Sequence, residues 1–390
     1  MTTHKTRNTR LKLTVSVVLA GALLWSLAAC GNAGAASQGS SATTVNIGVL
    51  YPKTGPNAEY GRLFQQGIDL AVEKVNATGG VQGATLGVKY FDTQSDPKQS
   101  AAVAPKLVAD KSIVVVIGDY SSPASKAASP AFQQAGLVHY GFNNSAPDFT
   151  STGDHVWTPA FGTDSLMPTW ADAVADSGAK TISVVYIEND WGKQAYGYFT
   201  SQAAARGLSI VYNSAYPATG TDDYSPILIK ARDAKPDAIV QIGYGEGGQI
   251  VNTLRDTLGY TGPFFGGQNT PEFLSVAGKN AEGDVITGYF SVNSTVPRIK
   301  QFVDDFRAKY GTDPGDFNIT AYQAVIDLAY AMNQTSATRA GVQQALQTVT
   351  DFPCYVGRAD TFQFDQQTRR VQNPKPGLLV VKDGVFVFTD

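Results

Sequence analysis

Short apolar, β-branched runs alternate with stretches of helical period along most of this chain. Residues 45–51 (VNIGVLY) read as a strand. Over residues 59–76 the apolar side chains fall at Leu63, Phe64, Ile68, Leu70, Ala71 and Val75, a helix period. Ala77-Thr78-Gly79-Gly80 stops that helix. Strands are predicted at 86–92, 113–117 and 137–140, with helices at 97–110 and 123–135 between them. Repeated strand–helix winding predicts a parallel sheet covered by helices.

The pattern starts again after Phe161-Gly162-Thr163. Strands are predicted at 181–187, 209–214, 237–242, 264–265 and 285–290. Helices are predicted at 191–206, 224–233, 248–258 and 271–277. Two long helices follow, at 298–310 and 319–334. Residues 378–388 read as a hairpin turning on Asp383-Gly384. The chain is thus an α/β protein of two similar units. In open α/β sheets ligands sit beyond the carboxyl ends of the strands, so the loops that follow strands are the ones to search.

The first 44 residues do not join this alternation. Basic residues Lys5, Arg7, Arg10 and Lys12 precede an uncharged apolar run at 13–29, which ends in Leu27-Ala28-Ala29-Cys30. That is the layout of an export signal, residues 1–29. The last four residues match a bacterial lipobox, in which the cysteine, here Cys30, is acylated and becomes the new N-terminus. The competing reading is an uncleaved anchor, for which about 17 residues is short. Residues 31–44 are small, polar and aperiodic, so Cys30 with residues 31–44 reads as a lipidated tether.

Charge changes meaning once this leader is set aside. The chain has 30 Lys+Arg against 33 Asp+Glu, a formal charge of −3. Without the four basic leader residues the body is near −7, roughly counted. An acidic body lacks the basic footprint of a nucleic-acid binder. Two cysteines and three histidines make neither a disulfide framework nor a zinc-site spacing, so no metal is expected.

The informative blocks follow strands. Tyr51-Pro52-Lys53-Thr54-Gly55-Pro56 leads to Tyr60 at a helix start. Gly118-Asp119-Tyr120-Ser121-Ser122-Pro123 places two hydroxyls before a helix, whose free N–H groups suit a carboxylate. A plain N-cap is the alternative. Gly141-Phe142-Asn143-Asn144-Ser145 follows the fourth strand, and Glu188-Asn189-Asp190-Trp191-Gly192 opens a helix that Asp190 is positioned to cap. Residues 243–248 (GYGEGG) match G-x-G-x-x-G, yet in the third unit of their half and with no acid after the next strand, so a dinucleotide is not expected. No nucleophile elbow, P-loop or metalloprotease motif is present, and His139 and His155 read as structural.

Taken together, VNIGVLYPKTGPNAEYG, GIDLAVEKVNATGGVQG, YFDTQSDP, IGDYSSPAS, SAPDFT, IENDWG and FDQQTRRV resemble the type I periplasmic solute-binding proteins of ABC importers, in their leucine/isoleucine/valine-binding branch. The resemblance covers residues 45–390. It implies two Rossmann-like lobes with parallel sheets, joined by three crossing segments and closing over a ligand. The implied divisions are 45–162 for lobe 1, 163–292 for lobe 2, 293–356 for the return to lobe 1, and 357–390 for the last crossing and C-terminal strands. It also implies a monomer that binds a small molecule, carries no cofactor, performs no catalysis and hands its ligand to a permease with its ATPase. A sensor role is the alternative. Lipid anchoring would hold it at the membrane, facing the periplasm or exterior.

Residue by residue, the resemblance matches Ser121 or Ser122 to the carboxylate-binding serine, and Asn143 and Ser145 to the next ligand-contacting loop. Tyr60, Trp191 and Tyr244 match aromatic positions around the ligand, and Tyr120 lies beside them. Gln268 falls where amino-acid binders carry an acid for the ligand ammonium; Glu246 and Asp190 are the acids nearest in sequence. Gln does not offset a buried cation. Tyr60, Tyr120, Phe142, Trp191, Tyr244 and Phe290 are candidates for an aromatic cleft. The expectation is therefore an amine-free, preferably aromatic, organic acid, with a branched-chain or other amino acid as the alternative. The disulfide common in the family's first lobe is missing, which leaves Cys354 unpaired or shielded.

Overall fold

The computed structural model describes residues 43–218, 223–357 and 359–389. The predicted leader, Cys30 and nearly all of the tether lie outside the described residues. Among the described residues no helix is long and apolar enough to cross a membrane.

The first half winds as its pattern predicts through β1 (Thr44–Tyr51), α1 (Ala58–Ala77), β2 (Thr85–Asp92), α2 (Pro97–Ala109), β3 (Ile113–Gly118), α3 (Ser122–Gln134) and β4 (Val138–Tyr140), and adds a two-residue β5 (Val156–Trp157) that the pattern does not give. These strands make a parallel sheet of order β2-β1-β3-β4-β5. The second half runs α4 (Thr163–Asp176), β6 (Thr181–Glu188), α5 (Asp190–Ala205), β7 (Ser209–Pro217), α6 (Ser225–Asp233), β8 (Ala238–Ile242), α7 (Gly247–Asn252), β9 (Phe264–Phe265) and α8 (Pro271–Ala277). Its parallel sheet has the order β7-β6-β8-β9. The strand order reverses direction between β1 and β3 in one sheet and between β6 and β8 in the other. Each reversal opens a crevice at the carboxyl ends of those strands.

After β10 (Val285–Gly288) come α9 (Pro297–Tyr310), α10 (Asp316–Gln334) and α11 (Arg339–Thr348), which return to the first core. Helix α10 lies almost wholly buried against α1. The two backbones meet at Gly67, where a Cβ would fall 2.1 Å from the Asn318 carbonyl oxygen. Short ladders β11 (Phe352–Pro353) with β12 (Thr361–Phe362) and β13 (Phe364–Asp365) with β14 (Arg370–Val371) precede β15 (Gly377–Lys382) and β16 (Val385–Phe388). Strand β15 pairs antiparallel with both β10 and β16, and this three-stranded sheet packs on the second core. Asp383 and Gly384 turn this hairpin with φ of +52° and +74°, as a two-residue turn of this hand requires.

Two large cores result, one built on each sheet, and the chain passes between them three times. The passages run between Trp157 and Phe161, between Ile286 and Phe290, and between Phe364 and Leu379. Two helices escaped the pattern reading. Helix α4 buries Leu166, Met167, Trp170, Ala171 and Val174 at helical spacing, but Pro168 interrupts the run. Helix α11 begins on Thr338, whose hydroxyl accepts from the Gly341 N–H at 3.0 Å. The helix predicted over 248–258 ends at Asn252 and continues as a wider turn through Thr257.

Candidate functional site

The loops leaving β3, β4, β6, β8 and β9 converge at the carboxyl ends of their strands, around a cavity of about 130 Å³. An apolar cavity of roughly 150 Å³ admits a benzene-sized guest, so this space suits one ring or one branched side chain with its polar head.

The β3 loop supplies one end. Ser121 is the N-cap position of α3, yet its side chain makes no capping bond. Its amide instead donates to Asp119 at 3.0 Å. Asp119 is buried and also accepts from the hydroxyls of Thr93 and Ser95. Burial raises its carboxyl to about 6 against these donors. The first intrahelical bond of α3 runs from the Ser125 amide to the Ser121 carbonyl. Pro123 has no N–H, so the amides of Ser122 and Ala124 are left for an outside acceptor. Ser122 lines the cavity with its hydroxyl unpartnered among the described residues, and Tyr120, Asn143 and Ser145 line it beside Ser122. Ser121 is the correction here: of the two serines matched to one role, only Ser122 faces the cavity.

Aromatic rings form the facing wall. Trp191, in the first turn of α5, stacks on Tyr244 with centroids 5.0 Å apart and planes 29° apart. Its indole N–H donates to Ser145 Oγ at 2.8 Å, joining the two halves. Tyr244 stands edge-on to Tyr120 at 6.2 Å. Burial holds the hydroxyls of Tyr120 and Tyr244 above the usual phenol range, so both remain neutral donors.

Tyr60 does not line the cavity. It spans the mouth: its hydroxyl accepts from the Gly245 N–H at 2.5 Å and donates to Gln268 Oε1 at 3.2 Å. Gln268 does line the cavity, and its amide nitrogen has no partner among the described residues. Arg62 adds an outer link to Glu272 at 2.6 Å.

Several expected roles are corrected. Phe142 and Phe290 are core residues, 1% and 0% exposed, and Phe142 packs edge-on to Phe64. Asn189, not Asp190, caps α5, accepting from the Gly192 amide at 2.7 Å. Glu246 is occupied away from the cavity by the Tyr216 hydroxyl at 2.5 Å and the Tyr244 amide at 2.9 Å. The glycine-rich 243–248 stretch serves close packing, since a Cβ on Gly247 would sit 2.6 Å from the Gly267 Cα. His139 is buried with bonds to Ser129 Oγ and the Gly118 carbonyl, and burial lowers it to about 4. Cys354 is buried and unpaired, with Sγ donating to the Val356 carbonyl and its thiol raised by burial to about 11.

The far end of the cavity was not foreseen. Leu166, Met167, Trp170 and Ile286 close it with apolar surface, and Thr287, Tyr289 and Asp316 add polar atoms. Asp316 opens α10 and is 8% exposed. It is the one ionisable acid on the cavity wall among the described residues, and no Lys or Arg lines it. Asn269 Nδ2 donates to its Oδ1 at 2.7 Å, and the Tyr289 amide approaches both oxygens at 3.3 Å. Burial pushes its carboxyl up to about 8. Its sequence signal was faint, an acid just ahead of the apolar run that begins at Ile319.

The comparisons with known proteins identify the family and the fold. The family described as periplasmic binding protein matches residues 44–374. The Leu/Ile/Val-binding protein of Escherichia coli strain K12 is 31% identical over 304 residues, covering 75% of this chain and 80% of its own. A branched-chain amino acid transporter substrate-binding protein from Streptococcus pneumoniae, solved with isoleucine, superposes with a TM-score of 0.80 at 25% identity. That match covers 89% of this chain and 100% of the other. A solute-binding protein from Rhodopseudomonas palustris BisB5, solved with 3,4-dihydroxybenzoic acid, shares the fold, with a TM-score of 0.78 at 22% identity over 88% of this chain and 95% of its own.

Proposed function

The chain belongs to the periplasmic binding protein family, in its Leu/Ile/Val-binding branch, and on that premise we propose that its cleft receives a small amine-free carboxylic acid, aromatic by preference. Proteins of this family are extracytoplasmic solute-binding components of ABC transporters and not enzymes. The observation that carries the ligand class is the pairing of Gln268 with the Trp191–Tyr244 stack. By the resemblance, a neutral amide occupies the position where amino-acid binders carry an acid, and the structure sets it on the same cavity wall as the stacked rings. The unpartnered Ser122 hydroxyl, Ser145 and the free amides of α3 would hold the carboxylate with neutral donors, and Asn143 would add one more polar contact. Rings favour flat apolar partners beyond their area alone.

A branched-chain amino acid is the second reading, favoured by the isoleucine bound in the Streptococcus pneumoniae relative. Thermal-shift screening of benzoate-type acids against leucine, isoleucine and valine separates the two, because a ligand that binds only the native state raises its stability by RT ln(1 + [L]/Kd). Stabilisation by an aromatic acid supports the proposal. Stabilisation by leucine or valine alone refutes it.

The protein is further proposed to be tethered through acylated Cys30 and to deliver its solute to a permease and ATPase as a monomer. Lipoprotein processing is supported by the Leu27-Ala28-Ala29-Cys30 sequence. Mass spectrometry of the mature N-terminus tests it: a diacylated or triacylated Cys30 supports the anchor, and an unmodified N-terminus elsewhere refutes it.

A further inference from the structure

The cavity wall carries polar groups of two kinds. The β3 loop and the rings beside it present donors: the Ser122 hydroxyl, two helix amides and neutral phenols. Asp316, held by Asn269 and the Tyr289 amide, presents an acid. Phe317 follows it, with its ring edge-on to Tyr60 at 4.9 Å and Tyr120 at 6.2 Å.

Asp316 is more tightly held than a helix-capping acid needs to be. Its own amide donates to the Asn269 carbonyl at 2.7 Å, and Asn269 Nδ2 is shared between Asp316 Oδ1 and the Phe290 carbonyl. This clamp fixes Oδ1. The Tyr289 amide reaches both oxygens at the long distance of 3.3 Å, and the Phe290 amide adds a further backbone bond to the carboxyl. A carboxylate offers about four acceptor positions, so with these three donors a carboxyl on the wall of a cavity keeps acceptor capacity to spare. The group opposite needs to bring a donor, or the carboxyl remains undersatisfied.

We propose that Asp316 is a specificity-determining residue that accepts a hydrogen bond from a hydroxyl on the ring of the bound acid. The inference rests on the aromatic-acid reading and narrows it to hydroxylated aromatic acids. A neutral phenol fits because, among the described residues, no Lys or Arg on the cavity wall fixes Asp316 as an anion. The upward shift of its carboxyl by burial agrees with this. Without that hydroxyl, the Asp316 carboxyl keeps an acceptor position unused.

Isothermal titration of the full-length protein with benzoate, 3-hydroxybenzoate and 4-hydroxybenzoate tests this directly. At least one hydroxybenzoate should bind about tenfold or more tighter than benzoate, as expected for a hydrogen bond to a buried carboxyl. Asp316→Asn supplies the second arm. Asn269 keeps the new carboxamide oxygen at the Oδ1 position, so its NH₂ faces the cavity and the wall changes from acceptor to donor. The variant should lose the preference for the hydroxybenzoate and bind 4-methoxybenzoate, which only accepts, better relative to benzoate than the wild type does. Equal affinity of the wild type for benzoate and both hydroxybenzoates overturns the role of Asp316 and leaves the aromatic reading standing. A preference for the hydroxybenzoate that survives Asp316→Asn also overturns it. Binding of leucine with no binding of any benzoate overturns both.

Discussion

Tyr60→Phe removes a single oxygen, and with it the two hydrogen bonds that cross the mouth of the cleft. The bond from the Gly245 amide is short and the bond to Gln268 is at 3.2 Å. A typical hydrogen bond contributes about 0.5–1.5 kcal/mol net. Gly245 is exposed, so water replaces its lost partner when the ring loses its oxygen, and the lower half of that range applies. Together the two bonds favour the closed arrangement by about 1–2 kcal/mol, roughly a 5–30-fold bias. The ring itself keeps its contacts with Tyr120 and Phe317 at 5.1 and 4.9 Å. The variant should therefore bind its solute about 5–30-fold more weakly, since apparent affinity scales with the population of the binding-competent state. The loss should appear mainly in the dissociation rate, read by stopped-flow fluorescence of Trp191. Each core should be as resistant to urea as before, because the bonds lie between the two cores. Affinity unchanged within about twofold would refute the reasoning, as water would then serve the closed cleft as well as the phenol does.

Three further outcomes are expected. Gln268→Glu places an anion at the cavity wall while keeping an acceptor for Tyr60; leucine affinity should rise about tenfold or more and aromatic-acid affinity should fall, and titration showing neither would remove Gln268 from selection. Gly247→Ala drives a methyl to within 2.6 Å of Gly267 Cα and 2.8 Å of its nitrogen, so urea unfolding should show a loss of about 1–3 kcal/mol, and an unchanged midpoint would refute the close packing. Asp284 is 1% exposed, neither carboxyl oxygen has a hydrogen bond, and Arg255 stands 4.0 Å away. Burial pushes its carboxyl up to about 9, so its contribution to stability is whole below the unfolded value near pH 4 and is lost as pH rises toward 9. The wild type should lose up to about 1.4 kcal/mol per pH unit from this group, and Asp284→Asn should flatten that slope and be the more stable at pH 8; parallel slopes in urea titrations at pH 5 and 8 would refute the assignment.

Much of this architecture is legible in the residues, for a physical reason. Strands buried on both faces read as continuous apolar runs, and Ile113–Gly118 and Ala238–Ile242 are buried throughout. Once the alternation is counted, chain connectivity places Tyr120, Ser122, Asn143, Trp191 and Tyr244 at the strand ends, and the structure brings all five to one cavity. Facing is less legible than position. Phe142 looks like a cleft aromatic by its loop, but its side chain turns into the core against Phe64. Tyr60 sits at the expected place yet acts across the mouth. Asp316 was invisible because its meaning is tertiary: 47 residues separate it from Asn269, which holds it. Nothing in the local run of residues 313–317 (DPGDF) distinguishes a cavity acid from a helix cap.

Among the described residues no Lys or Arg lines the cavity wall, and this has a kinetic side. An anion of the proposed kind, approaching a chain of formal charge −3, meets no cation on that wall to draw it in, so capture gains nothing from attraction there. Added salt would screen the mild repulsion and leave arrival unhindered. On the proposed reading discrimination falls after arrival, in the time the solute spends between the rings, and a guest held by neutral donors would leave without breaking an ion pair.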